Sequence, residues 1–354
     1  MLTTLRLRHF RCYNTLCWDI PAEGAVLLGN NAQGKTTVLE ALCLALTLHS
    51  PRATRLDRLA AHGAGQFGLS LDTEAGTRRL WWQSGRKVEM QVNGEPRRDY
   101  SDYLADSYPV TWLDNADRAL VNGAAEERRK FLDFLGAQWH PAYRQALQAY
   151  RKALKSRNAL LRNPRRSAAA LHSYARLLAE HGAVLVQLRR HLLQLLQPHV
   201  ADNHRNISGG GESVQLTYAP DTEAPLTEVL DACLAADERA GFTTHGPHRD
   251  DVLLTIGGAP AAEYASEGQQ RTLATALLLA QSALLQAETG RAPILLIDDI
   301  FGELDPERRR ALLAGLPPES QIFITTTHLD WLRDTPPPLP LLRVEGGHIT
   351  PLQR

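Results

Sequence analysis

Gly29-Asn30-Asn31-Ala32-Gln33-Gly34-Lys35-Thr36 fits the pattern G-x-x-x-x-G-K-[ST], and Thr37 continues it into a helical stretch. The loop follows Gly24–Leu28, a short apolar run that reads as a buried strand. It opens a helix pattern from Lys35 to Leu48, with Val38, Leu39, Leu42, Ala45 and Leu46 as the apolar stripe. Phosphate chemistry needs these residue types. Gly29 and Gly34 let the backbone turn so that its N–H groups converge on phosphate oxygens. The helix N-terminus adds partial positive charge. Lys35 is placed to reach the β- and γ-phosphates, and the Thr36 hydroxyl to ligate Mg²⁺. A tight strand–helix turn that only matches the pattern is the plainer alternative, and the flanking strand and helix argue against it.

Around this loop the first part of the chain alternates short strands and turns. Thr4–His9 puts Leu5 and Leu7 on one face. Further strands are expected at Phe67–Leu71, Arg79–Gln83 and Lys87–Val92, the last followed by the hairpin signal Asn93-Gly94. From Glu126 to Leu196 the apolar residues recur at three- and four-residue steps, in two runs broken at Asn163-Pro164. That pattern predicts two long antiparallel helices forming an arm. Short apolar runs return at Val252–Ile256, Ile294–Ile297 and Ile322–Thr325.

Ile294–Ile297 ends in Asp298-Asp299. An acid closing a buried parallel strand is desolvated unless it meets a cation, so Asp298 is the second expected Mg²⁺ partner. Asp299 is a candidate general base for the attacking water, with a helix N-cap as its plainer role. Three weaker pieces follow the same order. Ser266-Glu-Gly268-Gln269-Gln270-Arg271 precedes a helix of small and apolar residues, Glu303-Leu304-Asp305 follows the acid strand, and Ile322–Thr327 ends at His328. Alone, an S-x-G before a helix is usually a cap and a histidine at a strand end is usually structural. The ordered set is stronger.

The chain has 354 residues, long for a single core, so two lobes are expected. Its apolar runs are shorter than the ~18 residues of a membrane span. The start lacks a secretory pattern, and Cys12, Cys17, Cys43 and Cys233 show no CxxC spacing, which together suit a reducing cytoplasm. Lys+Arg and Asp+Glu balance at 39 each. The balance is uneven along the chain. Residues 140–200 carry eleven basic side chains (Arg144, Arg151, Lys152, Lys155, Arg157, Arg162, Arg165, Arg166, Arg176, Arg189 and Arg190) and one acid, Glu180. A merely solvated helical face usually mixes signs, so this stretch is the candidate for DNA phosphate contacts, through Arg151, Lys152, Lys155, Arg162, Arg165 and Arg166. Arg52, Arg55 and Arg58 are lesser candidates. No aromatic–basic interleaving marks a single-strand stacking platform, so duplex backbone binding is expected.

The order P-loop, S-x-G-Q, acid strand, E-L-D and histidine resembles that of ABC-type ATPases. The resemblance implies an α/β head with a mixed sheet around the P-loop core and a helical arm lobe inserted in the chain. The head would span 1–115 and 240–354, and the arm 116–239. It also implies an ATP-dependent homodimer in which Ser266, Gly268, Gln269 and Asp305 act in trans on the partner's nucleotide and His328 senses the γ-phosphate. Asp299 stands where most of that superfamily has Glu, which suggests slow hydrolysis. The linking glutamine of the superfamily has no match in Val110–Asn115.

Within the superfamily, Leu5–Asn14, Gly123–Asp133, Thr244–Asp251 and Phe301–Asp305 resemble the RecF family, with Ala125 where that family typically has proline. This implies an ATPase of DNA repair and replication restart that binds duplex and gapped DNA. It would work with RecR and RecO to load RecA on SSB-coated single strands. The ATPase subunit of a transporter and a small-molecule P-loop kinase are the competing readings.

Overall fold

The computed structural model describes residues 1–114, 118–165, 167–302, 304, 306–333 (backbone only at 333) and 338–352. The chain begins with β1 (Leu2–Phe10), β2 (Tyr13–Asp19) and β3 (Gly24–Leu28), then helix α1 (Lys35–Thr47). Next come β4 (Gln66–Thr73), β5 (Gly76–Gln83), β6 (Glu89–Val92), β7 (Glu95–Arg97), α2 (Tyr100–Leu104) and β8 (Val110–Asp114). A largely helical stretch follows: α3 (Arg118–Asn122), α4 (Ala125–Trp139), α5 (Pro141–Leu161), α6 (Ala168–Ser208), β9 (Val214–Ala219), α7 (Leu226–Ala232) and α8 (Leu234–Ala240). Then come β10 (Asp251–Ile256), β11 (Ala259–Pro260), α9 (Ala261–Tyr264) and α10 (Glu267–Thr289). The chain ends with β12 (Ile294–Asp298), α11 (Pro306–Gly315), β13 (Ile322–Thr326), β14 (Leu341–Glu345) and β15 (His348–Pro351).

Two compact units result. One is Met1–Asn115 with Leu285–Arg354, and the other is Ala116–Leu284. The second division falls inside α10, well beyond the boundary at 239/240 expected from the sequence. Strands β9 and β10 pair with each other and join the helices, which keeps 240–284 with the helical unit.

The first unit holds two six-stranded sheets. One is antiparallel, in the order β2-β1-β4-β5-β6-β7, and the other runs β15-β14-β3-β13-β12-β8. In the second, β14, β3, β13, β12 and β8 are parallel and β15 is antiparallel, so the sheet is mixed. Helix α1 contacts β4 and β5 of the first sheet and β8, β12 and β13 of the second. Eleven of its residues are therefore buried, far more than one amphipathic stripe would bury. Trp18 meets Phe323 edge-on between the sheets. The Gln321 side chain ties the edge of the first sheet to the second, accepting from Leu2 N–H at 2.8 Å and donating to the carbonyls of Leu2 and Pro21. Asn93 and Gly94 both have positive φ, 54° and 82°, the backbone that a two-residue turn between β6 and β7 requires.

In the second unit the helical region departs from two long helices. The first periodic run is cut at His140-Pro141, where Pro141 opens α5 and the His140 side chain caps it. Gly136 permits the close approach of α4 and α5, since a Cβ there would lie 2.5 Å from the Tyr143 ring. The charge pattern is also corrected. Arg157 and Arg189, two of the eleven basic residues, are interior. Arg157 is 1 % exposed and donates to Asp237 at 2.6 Å and to the Thr243 hydroxyl at 2.7 Å. Arg189 donates to Asp133 at 2.9 Å, to Asp250 at 3.2 Å and to the Pro247 carbonyl at 2.7 Å. Their acids lie outside residues 140–200, so counting within the segment overstated its free charge. Removing one partner of a buried ion pair strands the other without water. Arg157→Ala should therefore cost about 3–5 kcal/mol in a urea unfolding titration. A loss under ~1 kcal/mol would show that the pair does not hold α5 to the segment around Asp237 and Thr243.

Candidate nucleotide-binding site

The strands β3, β13, β12 and β8 end side by side. Leu28 pairs with Thr326, and Asp298 with both Thr325 and Asp114. In open parallel sheets ligands sit outside these carboxyl ends. The phosphate-loop sequence Gly29–Thr36 runs from the end of β3 to the start of α1. Gly34 has φ 101°, and a Cβ there would lie 2.7 Å from the Tyr13 hydroxyl. A Cβ on Gly29 would lie 2.4 Å from the Val344 carbonyl oxygen. Both glycines are thus demanded by close neighbours, and Gly34 by its left-handed backbone as well. Ala32 also has positive φ, 65°, while Asn30, Asn31 and Ala32 are exposed. The Gln33 side chain accepts from Gly346 N–H at 3.0 Å.

Three side chains converge at the loop's end. Asp298 Oδ1 accepts from the Thr36 hydroxyl at 2.8 Å and from the Thr325 hydroxyl at 2.7 Å. Burial raises the Asp298 carboxyl above its ordinary value, against the opposing effects of these two hydroxyls and Arg52. The Lys35 ammonium donates to the carbonyls of Gly29 at 2.7 Å and Asn30 at 2.9 Å. Burial lowers its pKa, with the charges of Asp299 and Asp298 acting the other way. Lys35, Thr36, Thr37, Asp299 and Thr325 line a cavity of about 780 Å³ together with Arg11, Cys12, Arg52, Arg58, His62 and Trp82. Asp299 has φ 54°, and its N–H donates to the Thr325 hydroxyl at 3.0 Å. His328 is exposed and outside this lining. Its N–H donates to the Thr326 hydroxyl at 3.3 Å.

The residues present fit a divalent cation held beside a polyphosphate. Among the described residues no cluster of three His, Cys, Asp or Glu could hold a metal alone. Mg²⁺ does not need one, because it keeps waters and takes one or two protein oxygens plus phosphate. Thr36 and Asp298 offer that pair.

Arg52 and Arg58 line this cavity, and Arg55 pairs with Asp57 at 3.0 Å. Sequence reasoning also missed Tyr13 and Thr325. Thr325 did leave a signal, as one of three threonines closing a buried apolar strand.

The Ser266 segment lies in the second unit. Ser266 N–H donates to Gln269 Oε1 at 2.7 Å, and Gln269 N–H donates to Ser266 Oγ at 3.2 Å. This reciprocal capping box starts α10, with Gly268 inside the first turn. Gln269 also donates to Glu212 at 2.5 Å. Ser266 is exposed. Asp305, Glu303 and Arg166 lie outside the described residues. Lys152, Lys155, Arg162 and Arg165 are exposed, while Arg151 pairs with Asp133 at 2.9 Å and Arg190 with Glu223 at 2.9 Å.

The AAA domain family matches residues 4–158. A solved SMC head bound to the C-winged helix domain of ScpA superposes with a TM-score of 0.55 at 15% identity, covering 99% of this chain and 96% of the other. Fold and site together define the head of an ABC-type ATPase, α/β around a mixed sheet, with an inserted helical region. The DNA replication and repair protein RecF of Rippkaea orientalis is 38% identical, over 99% of this chain and 99% of that protein. The recombination mediator protein RecF, solved as RecF-ATPrS in the RecFOR pathway, superposes with a TM-score of 0.88 at 25% identity, covering 100% of this chain and 98% of that one. The chain belongs to the RecF family of DNA replication and repair proteins. That kinship runs the whole length of the chain and does not favour the transporter subunit.

The raised Asp298 carboxyl has a consequence for stability. The folded state holds that proton more tightly than the unfolded chain, so rising pH through this window removes stability. Asp298→Asn should thus leave the ligand-free protein as stable or more stable near neutral pH. It should also abolish the rise in melting temperature that Mg²⁺ and ATP together produce. Thermal scans of both proteins at pH 5 and pH 8 check this, and a large loss of stability in the ligand-free variant would contradict it.

Proposed function

We propose that this chain is an ATP-dependent DNA-binding protein of repair and replication restart, working as an ATP-driven homodimer with slow hydrolysis. The observation that carries the reading is the meeting of Thr36, Asp298 and Thr325 beside the Lys35 ammonium. A carboxylate without enough positive charge and an ammonium without enough negative charge suit a ligand that brings both signs, such as Mg²⁺ with a nucleoside triphosphate. The RecF-ATPrS relative supports ATP as that ligand. Mg²⁺, when bound, supplies charge neutralisation across the phosphates. The loop N–H groups of residues 29–36 and Lys35 hold the phosphates, Thr36 and Asp298 hold the cation, and Asp299 accepts a proton from the attacking water. His328 senses the γ-phosphate.

Ser266, Gly268 and Gln269 complete the partner's nucleotide site across the dimer, and Asp305 is assigned to the seam. Membership of the RecFOR pathway by the solved relative supports RecR and RecO as partners, with RecA loading as the outcome. DNA phosphates are met by Lys152, Lys155, Arg162 and Arg165, with Arg151 and Arg166 assigned to the same surface.

Light scattering with a slowly hydrolysed ATP analogue should show a monomer-to-dimer shift. Ser266→Arg should weaken that dimer by ~100-fold, about 3 kcal/mol for a charge buried without a partner. An unchanged dimer would remove Ser266 from the interface. Neutralising Lys152, Lys155 and Arg165 together should flatten the plot of log binding constant against log salt for duplex DNA by about 2–3. An unchanged slope would place the DNA elsewhere.

A further inference from the structure

We propose that the solvent face of the antiparallel sheet in the first unit binds single-stranded DNA, through Arg6, Arg8, Arg79 and Trp81. The inference deepens the DNA-binding reading above and rests on it. Strand alternation builds the surface. Along β1, Leu5 and Leu7 turn inward while Arg6 and Arg8 face out, and along β5 Leu80 turns inward while Arg79 and Trp81 face out. Pairing register then aligns them across strands. Arg8, Gly68, Trp81 and Glu89 form one row, and Arg6, Ser70, Arg79 and Gln91 the next. Basic and aromatic side chains that are not interleaved along the chain are therefore neighbours across the strands.

The aromatic is seated by a specific residue. A Cβ at Gly68 would lie 2.7 Å from two ring carbons of Trp81, so only glycine lets the indole lie down over the sheet. Beside it is a shallow depression of about 300 Å³ lined by three guanidiniums, Arg6, Arg8 and Arg79, and one carboxylate, Glu89. Arg6 is bound to Asp72 and is still half exposed. Arg8 and Arg79 make no ion pair or side-chain hydrogen bond among the described residues, and both are exposed. The Ser70 hydroxyl lines the same depression without a partner.

This combination selects its occupant. Exposed guanidiniums attract phosphates, and a partly exposed indole offers a face to a base. Bases in a duplex are already stacked on one another, so only a single strand can use both features. A general acidic partner would use the arginines and leave the indole without a role.

The test uses the full chain, with and without a slowly hydrolysed ATP analogue, in fluorescence anisotropy against a labelled oligo(dT) strand and a duplex of equal length. Trp81→Ala should weaken single-strand binding by about tenfold or more and leave duplex binding unchanged, while Trp81→Phe should keep most of the affinity. The double change Arg8→Gln with Arg79→Gln touches only surface charge and should flatten the single-strand salt slope by about 1–1.5. If Trp81→Ala does not fold, the arginine pair alone decides. Unchanged single-strand binding in the variants, equal losses on both substrates, or a parent that binds duplex but not single strands would each overturn the inference. A parent that binds neither form would instead overturn the DNA-binding reading beneath it.

Discussion

A carboxylate at the end of a buried strand is the constraint on which this candidate nucleotide site depends. Asp298 is flanked by parallel strands on both sides, so burial works against its charge. Two threonine hydroxyls, one from the first turn of α1 and one from β13, supply part of what water would have given. Those bonds also fasten the helix that follows the phosphate loop to the strand that carries the acid. Lys35 is held in the mirror condition, its ammonium satisfied by loop carbonyls and not by a carboxylate. The protein thus maintains two opposite charges close together without letting them cancel. That is a preorganised site, and its energetic cost is recovered when a ligand of mixed charge arrives.

The loop, the acid strand and their order were legible because each is a local backbone device. Gly34 needs a left-handed φ, Lys35 and Thr36 follow it by chain geometry, and Asp298 closes a run of four apolar residues. The central strands were legible for the same reason. What the sequence hid was pairing at a distance. Arg157 and Arg189 read as part of a basic surface because their acids, Asp237, Asp133 and Asp250, lie in other segments. The Trp81 surface was hidden because it exists only after strand register sets Gly68 beneath the ring. The break at His140-Pro141 was visible, but steady apolar spacing across it suggested one helix.

The same separation explains why segment charge is a poor guide to this protein. In the helical unit some arginines are interior and paired and others are exposed, and composition cannot tell the two apart. Buried ion pairs add little net stability compared with apolar packing, yet losing half of one is costly. Arg157 and Arg189 are thus interior ties within a basic stretch whose candidates for phosphate contact lie at other positions.

The backbone at Asp299 carries a constraint of its own. With φ at 54°, this position is left-handed, a conformation that short polar side chains tolerate and longer ones resist. Lengthening the acid by one methylene would set a side chain of greater reach on a backbone that disfavours it, at about 1 kcal/mol. Side-chain length and main-chain conformation are therefore linked at this position. Exchange of this aspartate for glutamate therefore carries a backbone cost that the reverse exchange does not. A longer acid here would sit better on a strand-to-loop junction of different φ, so the choice between the two acids is made by the main chain as well as by the side chain.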